Sequence, residues 1–279
     1  MQKRLVCLVT GSSSGFGKHV SAALVKAGFQ VIASMRDTSK REPLDKIAKL
    51  NIESEHMEVI PLDVTSSKQI EESVSAIIDR YGRIDLLVNN AGWACGGFAE
   101  EIPEEDWREQ FEVNVFGLIN VTRAVLPHMR KQGCGRIINI SSISGRIGFP
   151  GLAPYAASKH AVEGFSESLR LEMRPFGVDV ILIEPGSYRT SIWEKGLRKT
   201  TFSPDSPYAA QNERLMASVA QIMESAPEPD EVVSAIVHAA TIPKPRLRYP
   251  VGRGVRLAIA AKSILPWSWI EAMIASRLK

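Results

Sequence analysis

"RLVCLVTGSSSGFGKHV", residues 4–20, opens on a short apolar run and passes directly into a turn with glycines at 11, 15 and 17. The run is continuous rather than alternating, which describes a strand covered on both faces. Glycines at this spacing let the chain turn tightly and let a phosphate approach the backbone, while the next helix offers unpaired N–H groups and its positive end. By itself such a turn can also serve packing alone. Its position after the first strand favours a nucleotide-phosphate cradle.

Working outward, β-branched runs alternate with helix-length segments. Strands are predicted at 4–10, 30–35, 57–62, 84–90, 136–141, 179–184 and 246–250, and helices near 15–28, 66–81, 104–132, 154–176 and 228–242. Strands buried on both faces need helices above and below a mostly parallel sheet, so the expected class is α/β, a doubly wound Rossmann-type sheet of about seven strands. We expect a single domain over 1–279. The stretch 186–227 shows no clear strand and is expected to be a lid inserted over the substrate, with 251–279 as a C-terminal extension.

Composition narrows the function. The 279 residues are 44% hydrophobic and 23% charged, with a net charge of +3 and no basic cluster. This excludes the electrostatic footprint of a nucleic-acid binder and points to small ligands. The three cysteines, Cys7, Cys95 and Cys134, fit neither a disulfide framework nor a zinc site, and no metal is expected. "LVCLV" is too short for a signal-peptide core, and Lys262 and Pro266 interrupt the apolar stretch 255–270. A cytoplasmic protein without a membrane span is the expectation.

"TGSSSGFG" (10–17), "NNAG" (89–92), Ser142, "YAASK" (155–159) and "PGSYRT" (185–190), in that order, resemble the short-chain dehydrogenase/reductase family. The resemblance covers residues 4 to about 250. It is similar to the single-domain branch, and "KPRLRYP" with the C-terminal extension looks like the steroid and retinol dehydrogenase group. It implies an oxidoreductase, a homodimer or homotetramer, and a catalytic set of Asn114, Ser142, Tyr155 and Lys159. Ser142 would hold the substrate oxygen, Lys159 would also bind the nicotinamide ribose, and Asn114 in "FEVNVFG" would anchor a water-linked proton relay. The motif residues implied to bind cofactor are Gly11, Ser13, Ser14, Gly15, Phe16, Gly17, Asn90, Ala91, Gly92, Tyr155, Lys159, Pro185 and Gly186. Asp63 and Val64 in "LDV" would meet the adenine, and Thr190 the carboxamide.

The tyrosine–lysine spacing has its own physical content. Residues four apart share one side of a helix, and Pro154 suits a first helical position, which sets Tyr155 in the first turn. A phenol titrates near 10, and lowering it by about three units takes roughly 4 kcal/mol. An ammonium about 4 Å away supplies roughly that at an effective dielectric near 20. Lys159 is therefore expected to pull the Tyr155 pKa down. Tyr155 would act as general acid in reduction and general base in oxidation. Singly, each residue has a plainer reading: Tyr155 as packing, Lys159 as a solvated neighbour, and Asn114 as a local hydrogen-bonding group. Ser141 and Ser144 compete with Ser142, and the family spacing of thirteen before the tyrosine selects Ser142.

Cofactor choice turns on the end of the second strand, "QVIASMRD". An acidic side chain there holds the ribose diol of NAD, whereas an arginine accommodates a 2′-phosphate. Met35 stands in the family's acidic position and Arg36 follows it, with Ser13 and Ser14 able to add hydrogen bonds, so NADP is favoured. Asp37 keeps NAD possible through a one-residue shift.

Trp93, Phe98, Phe149, Tyr188, Ile192 and Trp193 lie beside the site motifs and suit a hydrophobic ketone, aldehyde or alcohol. Of these, Trp93, Phe149, Tyr188 and Trp193 join Ser142 and Tyr155 as the substrate-binding candidates. Some of the aromatics can equally be core or interface residues. The 251–279 segment mixes basic and apolar residues with two tryptophans. It is expected to pack over the cleft or against another subunit, with a membrane-surface helix as the alternative. A non-catalytic dinucleotide sensor is the competing class, although it has no need of the full Asn, Ser, Tyr and Lys set.

Overall fold

The computed structural model describes residues 4–49, 54–190, 192 and 205–275. Seven strands form one sheet: β1 (Val6–Val9), β2 (Gln30–Met35), β3 (Met57–Pro61), β4 (Leu86–Asn89), β5 (Gly135–Ile140), β6 (Val178–Pro185) and β7 (Arg248–Val251). Their order is β3-β2-β1-β4-β5-β6-β7, and every pairing is parallel. The order reverses between β1 and β4, and ligands of such sheets bind outside the strand ends beside that reversal.

β1 shows why the strands read as unbroken apolar runs. Cys7 and Val9 pack into one hydrophobic layer, while Val6 and Leu8 enter the layer on the opposite face. The first layer is closed by α1 (Gly15–Lys26) and α2 (Glu42–Lys49). The second is closed by α3 (Ser67–Tyr81) and, beyond α4 (Glu104–Phe111), by α5 (Leu118–Gln132) and α6 (Ala153–Met173). Fully burying a side chain such as Leu8 is worth about 1.5–3 kcal/mol, so both faces hold the sheet firmly.

The predicted strands all form, β2 over the predicted span and the others with ends shifted by at most two residues. The helix expected over 104–132 is interrupted by a π turn, Glu112–Gly117, between α4 and α5. A single π turn leaves the overall apolar periodicity in place, so the pattern alone reads as one helix. Four α-helices lie where no helix was placed or none was delimited: α2, α7 (Ala209–Ser225) and, after α8 (Asp230–Thr241), α9 (Val255–Ile264) and α10 (Trp267–Ala275). Trp193 and Phe202 fall outside the described residues. Among the described residues no helix is long and apolar enough to cross a membrane.

Candidate active site

The strand ends meet at a cavity of about 1270 Å³. At one end lies the turn after β1. Gly11 has φ +71°, and a Cβ there would stand 2.8 Å from the Ala91 Cα. At Gly17 a Cβ would fall 2.3 Å from the Gly11 carbonyl oxygen and 2.5 Å from Asn90 Nδ2. Asn90 donates from Nδ2 to the carbonyls of Thr10 (2.9 Å) and Gly11 (3.0 Å), and Thr10 Oγ1 accepts from the N–H groups of Asn90 and Ala91, both at 3.0 Å. Asn90 thus shapes the turn with its side chain, and Ala91 closes against it. Ser13, Ser14, Gly15 and Phe16 line the cavity along the same turn, and Gly92, Pro185, Gly186 and Thr190 line it from β4 and β6.

Beside this turn, β2 delivers Met35, Arg36 and Asp37 to the cavity wall, with Lys40 next to them. Met35 is buried and Arg36 exposed. The Asp37 carboxylate accepts from Ser39 N–H (3.0 Å) and Ser39 Oγ (2.6 Å) and pairs with Lys40 at 3.3 Å. These partners hold its pKa below the usual carboxylate range, the Ser39 hydroxyl foremost. Asp63 accepts from Thr65 N–H (3.0 Å) and Thr65 Oγ1 (2.9 Å), which sets the loop after β3, and Val64 is buried against Gly117.

Ser142, Tyr155 and Lys159 come together on the cavity wall between β5 and α6. Ser142 caps a short turn and accepts a hydrogen bond from Ser144 N–H at 3.1 Å. Its hydroxyl also interacts with the Tyr155 phenol, whose pKa that contact lowers. Ser141 and Ser144 also line the wall, but Ser142 is the one bonded to Tyr155. Pro154 sits second in α6, one residue later than the expected first position, and Tyr155 lies in the first turn. The Lys159 ammonium donates to the Ile140 carbonyl at 2.7 Å and lies 5.7 Å from the centre of the Tyr155 ring.

The electrostatics differ from the spacing argument. Burial pushes the Tyr155 phenol up to about 12, against the opposing Ser142 bond. Burial likewise pulls Lys159 down to about 8, with Glu163 resisting. The ammonium is held by a strand carbonyl and both groups are nearly enclosed, so desolvation outweighs the attraction expected of the pair.

Asn114 sits in the π turn and is buried. Its Oδ1 accepts from Trp93 N–H (3.1 Å), and its Nδ2 donates to the Trp93 carbonyl (2.9 Å) and Ser158 Oγ (3.3 Å). Ser158 in turn donates to the Tyr155 carbonyl at 2.7 Å. The Asn114 side chain therefore ties the "NNAG" strand end to the tyrosine helix, and Ser158, a small residue inside "YAASK", is a link that motif reading passes over.

The far wall is apolar. Trp93, Phe149 and Ile192 line it, together with Leu215, Met216 and Val219 of α7. Phe98 stacks on Tyr208 with ring centres 4.6 Å apart, and the Tyr208 hydroxyl donates to Glu100 at 2.6 Å, which fastens the start of α7 across the cleft. Tyr188 also borders the cavity, but its ring packs edge-on to Phe16 at 6.0 Å and its hydroxyl donates to Glu231 at 2.6 Å. Burial, and then that bond, raise its pKa. Behind Lys159, Glu163 and Glu184 are buried with Arg146 and Arg248: Arg248 reaches Glu163 at 3.0 Å and Glu184 at 3.2 Å, and Arg146 reaches Glu184 at 3.1 Å. No motif announced this cluster.

A parallel sheet with a glycine cradle at the reversal of strand order, and a buried serine, tyrosine and lysine facing it, defines a nucleotide-binding oxidoreductase. The chain belongs to the short-chain dehydrogenase family, whose model matches residues 5–200. It is 46% identical to the oxidoreductase YusZ of Bacillus subtilis, over 98% of each chain. It is 36% identical to a 3-ketodihydrosphingosine reductase of Bacteroides thetaiotaomicron, over 95% of this chain and 94% of that one. Human 17-beta-hydroxysteroid dehydrogenase type 1 is 34% identical over 88% of this chain and 77% of its own length. Among solved structures, a short-chain dehydrogenase from Streptomyces avermitilis superposes with a TM-score of 0.81 at 36% identity, covering 99% and 96% of the two chains. ElxO with NADP bound gives 0.75 at 27% identity, covering 91% and 99%.

Proposed function

We propose that this protein is an NADP(H)-dependent oxidoreductase that interconverts a hydrophobic ketone or aldehyde and its alcohol, with Tyr155 as general acid and base. The observation that carries this reading is the convergence of Ser142, Tyr155 and Lys159 on a largely apolar cavity whose other end is the Gly11–Gly17 cradle. The cradle fits a dinucleotide: Gly11 and Gly17 leave no room for side chains and so hold the turn tight, and Ser13, Ser14 and Gly15 at the start of α1 line the cavity, where a phosphate can meet the helix N-terminus. Arg36 and Lys40 give that end a cationic wall, and the Asp37 carboxylate is turned to Ser39 and Lys40, which favours a 2′-phosphate over a ribose diol. When bound, the nicotinamide supplies the hydride.

The chain's own residues handle the proton. With its pKa near 12, Tyr155 stays a phenol at neutral pH and can donate to a carbonyl oxygen as negative charge develops there. The phenolate that remains is held by the Ser142 hydroxyl and faces the Lys159 ammonium. In oxidation the same phenolate takes the alcohol proton. Asn114 and Ser158 keep the Trp93 loop and the tyrosine helix in register. Two relatives, a 3-ketodihydrosphingosine reductase and a 17-beta-hydroxysteroid dehydrogenase, support a ketone–alcohol pair on an apolar skeleton.

The test follows NADPH absorbance across a panel of hydrophobic ketones and aldehydes. Tyr155→Phe should lower kcat by roughly 10²–10⁴ while leaving NADPH affinity nearly unchanged. More than a tenth of the wild-type rate in that variant would remove Tyr155 from the proton role. NADPH binding without turnover on any substrate would return the chain to the class of dinucleotide sensors.

A further inference from the structure

The extension after β7 has two dissimilar faces. Inward, Val255, Ala258, Ala261, Leu265 and Ile270 line the cavity. Outward, Leu257, Ile264, Trp267, Trp269 and Met273 are exposed, Leu257 and Ile264 by 75% and 79%, and these five are half of the large hydrophobic side chains exposed among the described residues. Within α9, Arg256, Leu257, Ala260 and Ile264 recur at helical spacing on the exposed side. So dense an apolar patch on one short segment marks an interaction surface rather than ordinary surface scatter.

The charges around the patch select the partner. Residues 251–275 hold three basic side chains, Arg253, Arg256 and Lys262, and one acidic, Glu271. Arg253 and Arg256 are exposed and make no ion pair with a carboxylate among the described residues, whereas Lys262 donates to the Arg146 carbonyl. Tryptophans beside arginines, on a helix pair with apolar side chains outward, fit the headgroup level of an anionic bilayer. Leu257 and Met273 belong both to the exposed patch and to the cavity lining, so the patch runs without a break into the cavity mouth.

We infer that α9 and α10 dock the protein on an anionic lipid surface, with the mouth of the cavity against the bilayer. An apolar substrate then passes from lipid to Tyr155 without crossing water; this last step, unlike the docking, rests on the activity proposed above. The insertion is peripheral, because neither helix is long enough to span.

Co-sedimentation of the full chain with phosphatidylglycerol vesicles and with phosphatidylcholine vesicles tests the docking without reference to turnover. Binding should favour the anionic vesicles and weaken with salt. Trp267→Ser with Trp269→Ser, and separately Arg253→Glu with Arg256→Glu, should each lower partitioning at least about tenfold. Thermal unfolding should stay as in the wild type, because these side chains are exposed, and so should NADPH binding in the tryptophan variant, whose two side chains do not line the cavity. Absence of vesicle binding, or binding that survives both double variants, overturns the proposal. So does a dimer in sedimentation velocity that the tryptophan variants dissolve, since the patch would then belong to a second copy of the chain. If vesicles bind as expected but no hydrophobic carbonyl is reduced, the docking stands and the proposed activity alone fails.

Discussion

The two ends of the cavity are built from different materials. The cradle at Gly11–Gly17 is mostly backbone: its shape comes from a positive φ, two glycines that leave no room for a Cβ, and the amide of Asn90 bonded across the turn. The catalytic end is built of side chains, with the buried Ser142, Tyr155 and Lys159 in front and the buried Glu163 and Glu184, paired with the half-buried Arg146 and Arg248, behind. Shape governs the first, so it should be insensitive to pH and intolerant of any added atom. Charge held away from water governs the second, so small changes in charge should retune it without dismantling it.

The harshest way to break this contrast is to add one methyl group. Gly17→Ala places a Cβ against the Gly11 carbonyl and the Asn90 amide, and relieving that overlap means moving the turn. Overpacking of this kind costs about 1–3 kcal/mol, and NADPH affinity should fall roughly a hundredfold or more as the N–H groups lose their alignment. Gly164→Ala, in a helix with nothing within 4 Å of the new Cβ, should be neutral or stabilising. Titration of NADPH into both variants checks the pair; equal loss in the two would show that the cradle is not shape-limited.

Arg36→Ala gives a smaller effect and sharpens the comparison, since it removes a charge from the shape-governed end. If Arg36 meets a 2′-phosphate, the loss is that of a charge-assisted hydrogen bond, about 1.5–3 kcal/mol or roughly ten- to hundredfold in NADPH affinity. NADH should scarcely respond. Parallel titrations with the two cofactors decide it, and tighter NADH than NADPH binding in the wild type would make Asp37 the selective residue.

What could be read from the sequence divides along the same line. The cradle was legible because backbone shape demands glycine at fixed spacing, and the strands were legible because burial on both faces leaves unbroken apolar runs. Tyr155, Lys159 and Ser142 were legible as a motif, but the sign of the tyrosine shift was not. It depends on how deeply the pair is enclosed and on Lys159 turning to the Ile140 carbonyl, and neither follows from a spacing of four. The cover of the cavity was the least legible. Leu215, Val219, Leu257 and Ile270 meet the cleft through tertiary packing across long separations, and any apolar residue of suitable volume does that work. Glu163 and Glu184 were hidden for another reason: a carboxylate in a helix or at a strand end reads as solvated until the arginines that bury it are seen.

That cluster supports the finest test of the charge-governed end. Glu163 lies one helical turn beyond Lys159 and resists the burial that pulls the lysine pKa down, the two together leaving it at about 8. Catalysis that needs the ammonium should hold below that pH and fall as pH rises through it, because Lys159 then loses its proton. Glu163→Gln removes the opposing negative charge, so the folded-state lysine pKa drops further and the falling limb of kcat against pH should move toward acid. At neutral pH the rate should fall by no more than about twofold, the fall expected when about half of the lysine still keeps its proton. The substitution also disturbs Arg248, which bonds Glu163 at 3.0 Å and pairs as well with the exposed Glu167. Glu167→Gln therefore serves as the control: it weakens the Arg248 contacts at a more exposed position, one turn farther along the helix, and should leave the limb in place. If both variants shift the limb equally, Glu163 acts by positioning the helix through Arg248, and the lysine is not tuned by its charge. If neither shifts it, the falling limb belongs to another group and the ammonium is not the species that limits catalysis above pH 8.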